Sequence, residues 1–305
     1  MTKRIAITGA TGLIGSALTR AIIARGDHVV AFSRTPDQPN PHLRGATVVK
    51  WNPRDRQHII DALTGCDAVV NLVGASIAGK RWTPAYKEIL ARSRIESTQQ
   101  LLEAIAQMPN RPQTFVSSSG AGYYGIDRTQ KNEHDAAGSD YLAQLCVQWE
   151  QAAQPAHSLG MRLVIARTGV VLDKHEGALP LMALPFRLFV GGPVLPGTQA
   201  ISWIHLDDMV QLLLWMIDTP QAHGVYNACA PHTVDNATFG RTIANTLRVP
   251  MWLPVPQFAL RLLFGEMADA LLIGGQAVVS TRLDAEGFAF RYPTLDLALA
   301  DIYGR

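Results

Sequence analysis

The order of apolar segments predicts an α/β protein: a doubly wound parallel sheet with a smaller α+β region on its C-terminal side. Three observations predict it. Short apolar runs alternate with amphipathic helical stretches through the first half of the chain. A glycine-rich turn separates the first run from the first helical stretch. From about residue 174 the alternation breaks, and Gly191-Gly192-Pro193 and Pro196-Gly197 mark loops.

Taken in order, Ile5-Ala6-Ile7 is the first strand, and Leu13, Ile14, Leu18, Ala21 and Ile22 are the apolar face of the first helix. Between them lies Thr8-Gly9-Ala10-Thr11-Gly12-Leu13-Ile14-Gly15, with glycines spaced by three. Gly9 permits the sharp turn because glycine reaches positive φ without strain. Gly12 lets a pyrophosphate approach the backbone, and Gly15 lets helix and strand pack closely. Free N–H groups at the helix start favour phosphate. The turn therefore reads as a Rossmann-type dinucleotide site, against the plainer reading of a strand–helix connection. The second strand, His28 to Phe32, ends at Ser33-Arg34. NAD sites usually place an acid there for the ribose 2′-hydroxyl, whereas arginine suits a 2′-phosphate. Asp37 lies beyond Pro36 and outside the strand. NADP(H) is the expected cofactor, with a solvated loop arginine as the ordinary alternative.

A Pro-rich loop (Pro36, Pro39, Pro41) precedes a third strand at Thr47–Val49 and a brief helix at Ile59–Leu63. Asp67–Gly74 is a buried-type strand running into a loop, and one long helix is expected from about Pro84 to Met108. Thr114–Val116 is a strand stopping at Ser117-Ser118-Ser119, followed by a helix from about Asp140 to Ala156 and a strand at Arg162–Ala166. Ligands of such sheets bind beyond the carboxyl ends of the strands. Segments 9–15, 33–34, 72–74 and 117–125 should converge there. Residues 1–173 are expected to form the dinucleotide domain, with about 200–230 returning to it, and 174–305 the substrate-side region. In that region Trp203–Met209 leads into a helix capped by Asp207 or Asp208, and the tail from Phe258 to Ile302 is mostly helical.

Composition narrows the classes. In 305 residues, 48% hydrophobic content with 17% charge fits a large core. A net charge of +2 gives no argument for nucleic acid. A strand begins almost at the first residue, so no leader peptide is expected, and the run nearest to a membrane span, Met209–Ile217, is short and contains Gln211. No membrane association is expected. Cys66, Cys146 and Cys229 are scattered and odd in number, which disfavours zinc and disulfides. No His/Cys/Asp/Glu cluster has metal-ligand spacing, so no metal is expected. A reducing cytoplasm is the expected setting.

These residues together resemble the extended short-chain dehydrogenase/reductase superfamily, which includes nucleotide-sugar epimerases and dehydratases. The marks are the glycine turn, Leu72-Val73-Gly74, the run Ser117 to Gly125, and Trp203-Ile204-His205-Leu206-Asp207-Asp208. More narrowly the chain is similar to a subgroup of epimerase family proteins. That likeness rests on Lys80-Arg81-Trp82, Ser93-Arg94, Trp149-Glu150, Arg167 to Leu172, and a C-terminal extension with Gly265-Glu266, Leu272 to Gln276 and Gly287 to Arg291. The resemblance implies an NADP(H)-binding domain contacting cofactor through Gly9, Thr11, Gly12, Leu13, Ile14, Gly15, Ser33, Arg34, Leu72, Val73, Gly74 and Arg94, with Val170 near the nicotinamide. It implies a small-molecule substrate and, by analogy alone, a homodimer.

One departure bears on chemistry. The superfamily uses a Tyr-x-x-x-Lys helix, in which lysine lowers the tyrosine pKa. Here, if Tyr141 is the acid/base, the lysine position is Leu145; in the register set by Glu150 the pair is Leu142 and Cys146. Neither supplies both groups. The remaining catalytic candidates are Ser118, Ser119, Tyr124 and Tyr141, each with an ordinary structural alternative: strand-end capping for the serines, packing for the tyrosines. Lys80, Arg81, Trp82 and Tyr123 are substrate candidates, a cation pair and aromatic rings suiting an anionic or planar group. His205 with Asp207 reads as helix capping and packing. Three functions stay open: an NADP(H)-dependent epimerase or oxidoreductase on a small or nucleotide-sugar-like substrate, a non-catalytic NADP(H)-binding sensor, and a reductase drawing its proton from water or substrate.

Overall fold

A computed structural model describes residues 2–304. The strands are β1 (Arg4–Thr8), β2 (His28–Ser33), β3 (Thr47–Lys50), β4 (Ala68–Asn71), β5 (Thr114–Gly120), β6 (Asp127–Lys131), β7 (Arg162–Thr168), β8 (Val170–Leu172), β9 (Ala200–Ile201), β10 (Trp203–His205), β11 (Gly224–Ala228), β12 (Val234–Asp235) and β13 (Gln276–Val278). The main helices of the first half are α1 (Leu13–Ala24), α2 (Arg56–Leu63), α3 (Pro84–Arg92), α4 (Ile95–Ala106), α5 (Tyr141–Ala153) and α6 (Pro155–Ser158). Those of the second are α7 (Leu179–Arg187), α8 (Leu206–Asp218), α9 (Asn236–Leu247), α10 (Gln257–Phe264), α11 (Glu266–Ala268), α12 (Thr281–Ala285) and α13 (Leu295–Tyr303).

Seven strands form one parallel sheet in the order β3-β2-β1-β4-β5-β7-β11. Both faces of its strands are apolar, as burial on both sides requires. Alternate residues serve opposite layers: Val70, Val116 and Val164 pack with α1 and α8, while Val69, Phe115 and Ile165 pack with α2, α4 and α5. Ile5 and Ile7 have no exposed surface, each such side chain contributing about 1.5–3 kcal/mol. After β1 the chain moves outward to β2 and β3, then crosses back to β4. That reversal opens a crevice between the carboxyl ends of β1 and β4, the usual ligand position in such sheets.

The C-terminal part builds its own core around Phe186, Trp203, Phe239 and Leu299, and β13 pairs with β6 to tie the tail to the first half. The helix expected over 84–108 is two helices. At the break, Arg94 has φ −107° and ψ −58°, and the Ser93 hydroxyl accepts from the Ala75 N–H at 3.0 Å. The helix expected to Ala156 ends at Ala153, because Pro155 starts a separate turn and lacks an N–H.

Candidate functional site

The crevice has two ends built on different terms. At the β1–α1 end, Gly9 has φ +68°, and a Cβ there would stand 2.7 Å from the Leu72 carbonyl oxygen. A Cβ on Gly15 would collide with the Gly9 carbonyl. A Cβ on Gly12 would meet only the Gly9 oxygen, at an ordinary 3.5 Å. Two glycines are thus demanded by the protein's own packing, and the third leaves its backbone bare toward open space. Gly12 caps α1 with no side-chain hydrogen bond, as is also the case at the starts of α4, α7, α10 and α13, whereas Asp55, Thr83, Asp140, Asp235 and Ser280 cap α2, α3, α5, α9 and α12. A bare, uncapped helix start at a strand-order reversal fits a phosphate group. Leu13 lies under Gly177, within 3.1 Å of where its Cβ would be, so the loop after β8 overhangs the turn.

At the end of β2, Ser33 is buried and its hydroxyl accepts from the Thr35 N–H at 3.2 Å. Arg34 beside it is exposed and, among the described residues, enters no ion pair. A hollow of about 210 Å³ lies next to it, lined by Thr11, Ser33, Thr35, Gln38 and Asn40 among others. Leu72 and Val73 are half-buried and Gly74 exposed at the end of β4. Arg94 braces that loop: it donates to Ala75 O at 2.9 Å and Leu90 O at 3.2 Å, its Cζ lies 5.2 Å from the Trp149 ring centre, and a Cβ on Gly74 would come within 3.1 Å of that Cζ. Burial lowers its pKa from the usual arginine value. Val170 opens β8, half-buried, opposite Trp203.

The β5–α5 end is already satisfied. The helix face turned toward β5 carries Leu142, Cys146 and Glu150, at i, i+4 and i+8. Leu142 is against Gly122, Cys146 Sγ is 3.7 Å from a Cβ position on Gly120, and Glu150 Oε1 accepts from Ser119 at 2.6 Å. Of the two registers considered from sequence, this is the one set by Glu150. Burial pushes the Cys146 thiol up to about 12, so it stays protonated. Arg167 grips Glu150 with two hydrogen bonds of 2.8 Å and donates to Tyr124 Oη at 2.9 Å; Tyr124 donates to Asn227 Oδ1 at 2.8 Å. The Arg167 Cζ lies 3.2 Å from the Tyr123 ring centre, a cation–π stack. Burial opposes the Arg167 charge, yet Glu150 raises its pKa above the normal value. Burial pushes the Tyr124 phenol up to about 12.

The catalytic candidates are not gathered around one point. Ser119 and Tyr124 belong to this buried network, Tyr124 being 3% exposed. Ser118 follows the strand alternation onto the opposite, α1/α8 face. Tyr141 points away from β5: its hydroxyl donates to Lys87 O at 3.1 Å and its ring packs on Trp82 at 5.2 Å. Trp82, expected over substrate, is buried with its indole donating to Ile77 O at 2.8 Å, in a cluster with Leu145 and Met267. Lys80 and Arg81 are exposed, Arg81 lying against Gly265. Tyr123 is half-buried beside β5. His205 itself caps α8, Nδ1 accepting from the Asp207 N–H at 3.0 Å. Asp208 instead accepts from the Arg291 and Tyr292 N–H groups, at 2.7 and 2.9 Å, anchoring the tail.

The network of Glu150, Arg167, Tyr124 and Asn227 was not expected as a unit. Its signal is present in the sequence. Glu150 continues the core-facing positions Leu142 and Cys146, and Arg167 ends the apolar run Leu163–Ala166. A buried acid and a buried base each need a partner.

Residues 5–229 match the NAD dependent epimerase/dehydratase family. The chain belongs to that family. Residues 255–302 match a domain of unknown function, DUF1731. An epimerase family protein of Staphylococcus saprophyticus is 38% identical over 302 residues, covering 98% of this chain and 99% of that one. One from Mycobacterium bovis is 40% identical over 296 residues, covering 97% and 96%. Among solved structures, human epimerase family protein SDR39U1 (isoform 2), solved with NADPH, is 33% identical with a TM-score of 0.86, covering 99% of both chains. A nucleoside-diphosphate sugar epimerase of Corynebacterium glutamicum is 32% identical with a TM-score of 0.80, covering all of this chain and 59% of that one. The family and the fold support a nicotinamide cofactor.

Proposed function

We propose that this chain binds NADP(H) across the crevice and serves as a hydride-transfer oxidoreductase or epimerase on a small, sugar-like molecule. The observation that carries the binding reading is the bare Gly12 at the uncapped start of α1, with Arg34 exposed at the end of β2 and in no ion pair among the described residues. The first-turn N–H groups of α1 would hold the pyrophosphate, and Arg34 the 2′-phosphate. The human relative solved with NADPH supports the phosphorylated cofactor. When bound, that cofactor supplies hydride chemistry. The chain contributes orientation: Arg94 holds the 74–75 loop against the crevice, and the Arg167–Glu150 pair fixes the end of β5. Ser119 donates its hydroxyl hydrogen to Glu150, which leaves its oxygen an acceptor only.

A second reading, a cofactor-binding protein without turnover, is favoured by Leu142 and Cys146 standing where a phenol and an ammonium would act. The test is NADPH oxidation against aldehydes, ketones and nucleotide sugars, after binding is established. Turnover of any panel member supports the enzyme; tight binding with no turnover across the panel favours the second reading.

A further inference from the structure

Fifteen large apolar side chains are exposed among the described residues, and twelve of them fall in two segments, 181–195 and 252–264. Backbone hydrogen bonds join the segments into one surface. The Trp252 N–H donates to Gly191 O at 3.0 Å, Val255 to Pro193 O at 2.8 Å, and Leu195 to Val255 O at 3.0 Å. The two helices of this surface have no polar face. Of the nine residues of α7 only Arg187 is polar, and of the eight of α10 only Gln257 and Arg261. The fold uses one side of each, burying Ala183 and Phe186 on α7 and Leu260 on α10. The other side is bare. Leu181 and Leu184 face outward on α7, and Phe258 and Leu262, one turn apart on α10, are 72% and 75% exposed. A helix that is apolar all round calls for cover on both sides.

Charge indicates what covers it. Residues 177–206 and 236–265 contain four arginines, Arg187, Arg241, Arg248 and Arg261, and no aspartate or glutamate. All four are exposed. Of the four, only Arg261 enters an ion pair among the described residues, with Asp269 at 2.9 Å. We propose that this face lies against a lipid bilayer with anionic headgroups. The long arginine stems let the guanidinium groups stay at the phosphate layer while the apolar side chains enter beneath it. Each cation adds attraction to an anionic leaflet. The aromatic rings suit that boundary. Phe189 holds φ +60°, a conformation few bulky residues adopt, and its ring is 59% exposed. Against ~150–250 Å² for a whole aromatic side chain, the twelve expose on the order of 1,000 Å², beyond the ~300–600 Å² of a typical monomer's largest patch. A second copy of the chain is a poorer occupant. Around a twofold axis the arginines would meet one another, with no carboxylate in either stretch to answer them. No described helix is long and apolar enough to cross a membrane, but lying against one needs a face and not a span.

The proposal stands apart from the cofactor reading, and the protein carries its own probe: of its six tryptophans only Trp252 is exposed. In a flotation assay the full chain should rise with vesicles of phosphatidylcholine and phosphatidylglycerol, and bind them roughly tenfold or more tightly than phosphatidylcholine alone. Brominated acyl chains in the mixed vesicles should quench its fluorescence. Trp252→Phe should remove that quenching while the protein still floats. The double variant Phe258→Glu, Leu262→Glu should stay in the aqueous fraction. Leu297→Glu, at an exposed apolar position on α13 outside the strip, should float like wild type and controls for the added charge. A wild-type chain that stays in the aqueous fraction, that floats without quenching, or that binds both vesicle types alike overturns the proposal. So does flotation that survives the double variant. A chain that ignores vesicles but doubles in mass, with the doubling lost in the double variant, also overturns it and makes the strip a contact between copies.

Discussion

The two ends of the crevice use the same kinds of groups to opposite purposes. Around β1 and α1 the polar groups are left free: no side chain caps the helix, Gly12 is bare, and Arg34 has no acidic partner among the described residues. Around β5 and α5 they are engaged with one another: Ser119 on Glu150, Glu150 on Arg167, Arg167 on Tyr124, Tyr124 on Asn227. On the proposed reading the first end receives charge from a ligand. The second holds its own charges and so fixes the backbone that a substrate would meet. Binding and stability should therefore respond to mutation at different ends.

The largest effect is expected where charge is buried. Glu150→Ala leaves the Arg167 guanidinium without its carboxylate at 4% exposure and should cost about 3–5 kcal/mol in urea unfolding. A loss under ~1 kcal/mol would mean that water enters this end and the contrast is weaker than drawn. Next come two alanines in one turn. Gly15→Ala should destabilise by roughly 1–3 kcal/mol through overpacking against the Gly9 carbonyl. Gly12→Ala should leave the melting temperature within a degree or two yet weaken NADPH at least tenfold, about 1.4 kcal/mol. Equal behaviour of the two would remove the distinction between structural and ligand-facing glycines.

That pair also shows what the sequence could convey. The glycine spacing placed the turn, because strand, turn and helix are contiguous. Six of the sheet's strands were legible for the same reason, since runs such as Ile5–Ile7, Val69–Val70 and Leu163–Ala166 are short, apolar and set between helices. The engaged end was not legible as a unit. Its members, at 119, 124, 150, 167 and 227, come from five elements and meet only through folding. Nor could spacing choose between the Tyr141/Leu145 and Leu142/Cys146 registers, which differ by one helical residue. Tyr141 turned outward because Trp82, itself drawn inward by Leu145 and Met267, gave its ring a partner. The capping of α8 by an imidazole rather than by Asp207 or Asp208 had no local signal, since Asp208 is claimed by residues 291–292 more than eighty positions on.

Smaller effects sharpen the comparison. Arg34→Ala should weaken NADPH by roughly 1–3 kcal/mol in a fluorescence titration and leave NADH unchanged; equal losses would take Arg34 off the 2′-phosphate. His205 gives a pH test away from the crevice. Burial lowers its pKa below the ordinary 6.5, so the fold holds it neutral, with Nδ1 accepting the cap. Its contribution is complete above pH ~6.5 and is lost as pH falls through the lowered native value. His205→Asn keeps a capping acceptor without a proton to take up. Thermal unfolding between pH 7 and 5 should then show a shallower decline than wild type, and an identical decline would place the acid sensitivity elsewhere. Least of all, Tyr141→Phe should cost under ~1 kcal/mol, the lost bond to Lys87 O, and leave any turnover intact. A collapse of turnover with cofactor affinity unchanged would restore the phenol as the acid/base.

The central claim is that the free end of the crevice is an NADP(H) site. Calorimetric titration of the wild-type chain with NADPH and NADH tests it most directly. Saturable one-site binding of NADPH, at least tenfold tighter than NADH, is the predicted result. Equal affinity for the two would contradict the role of Arg34, and no binding of either would contradict the claim itself.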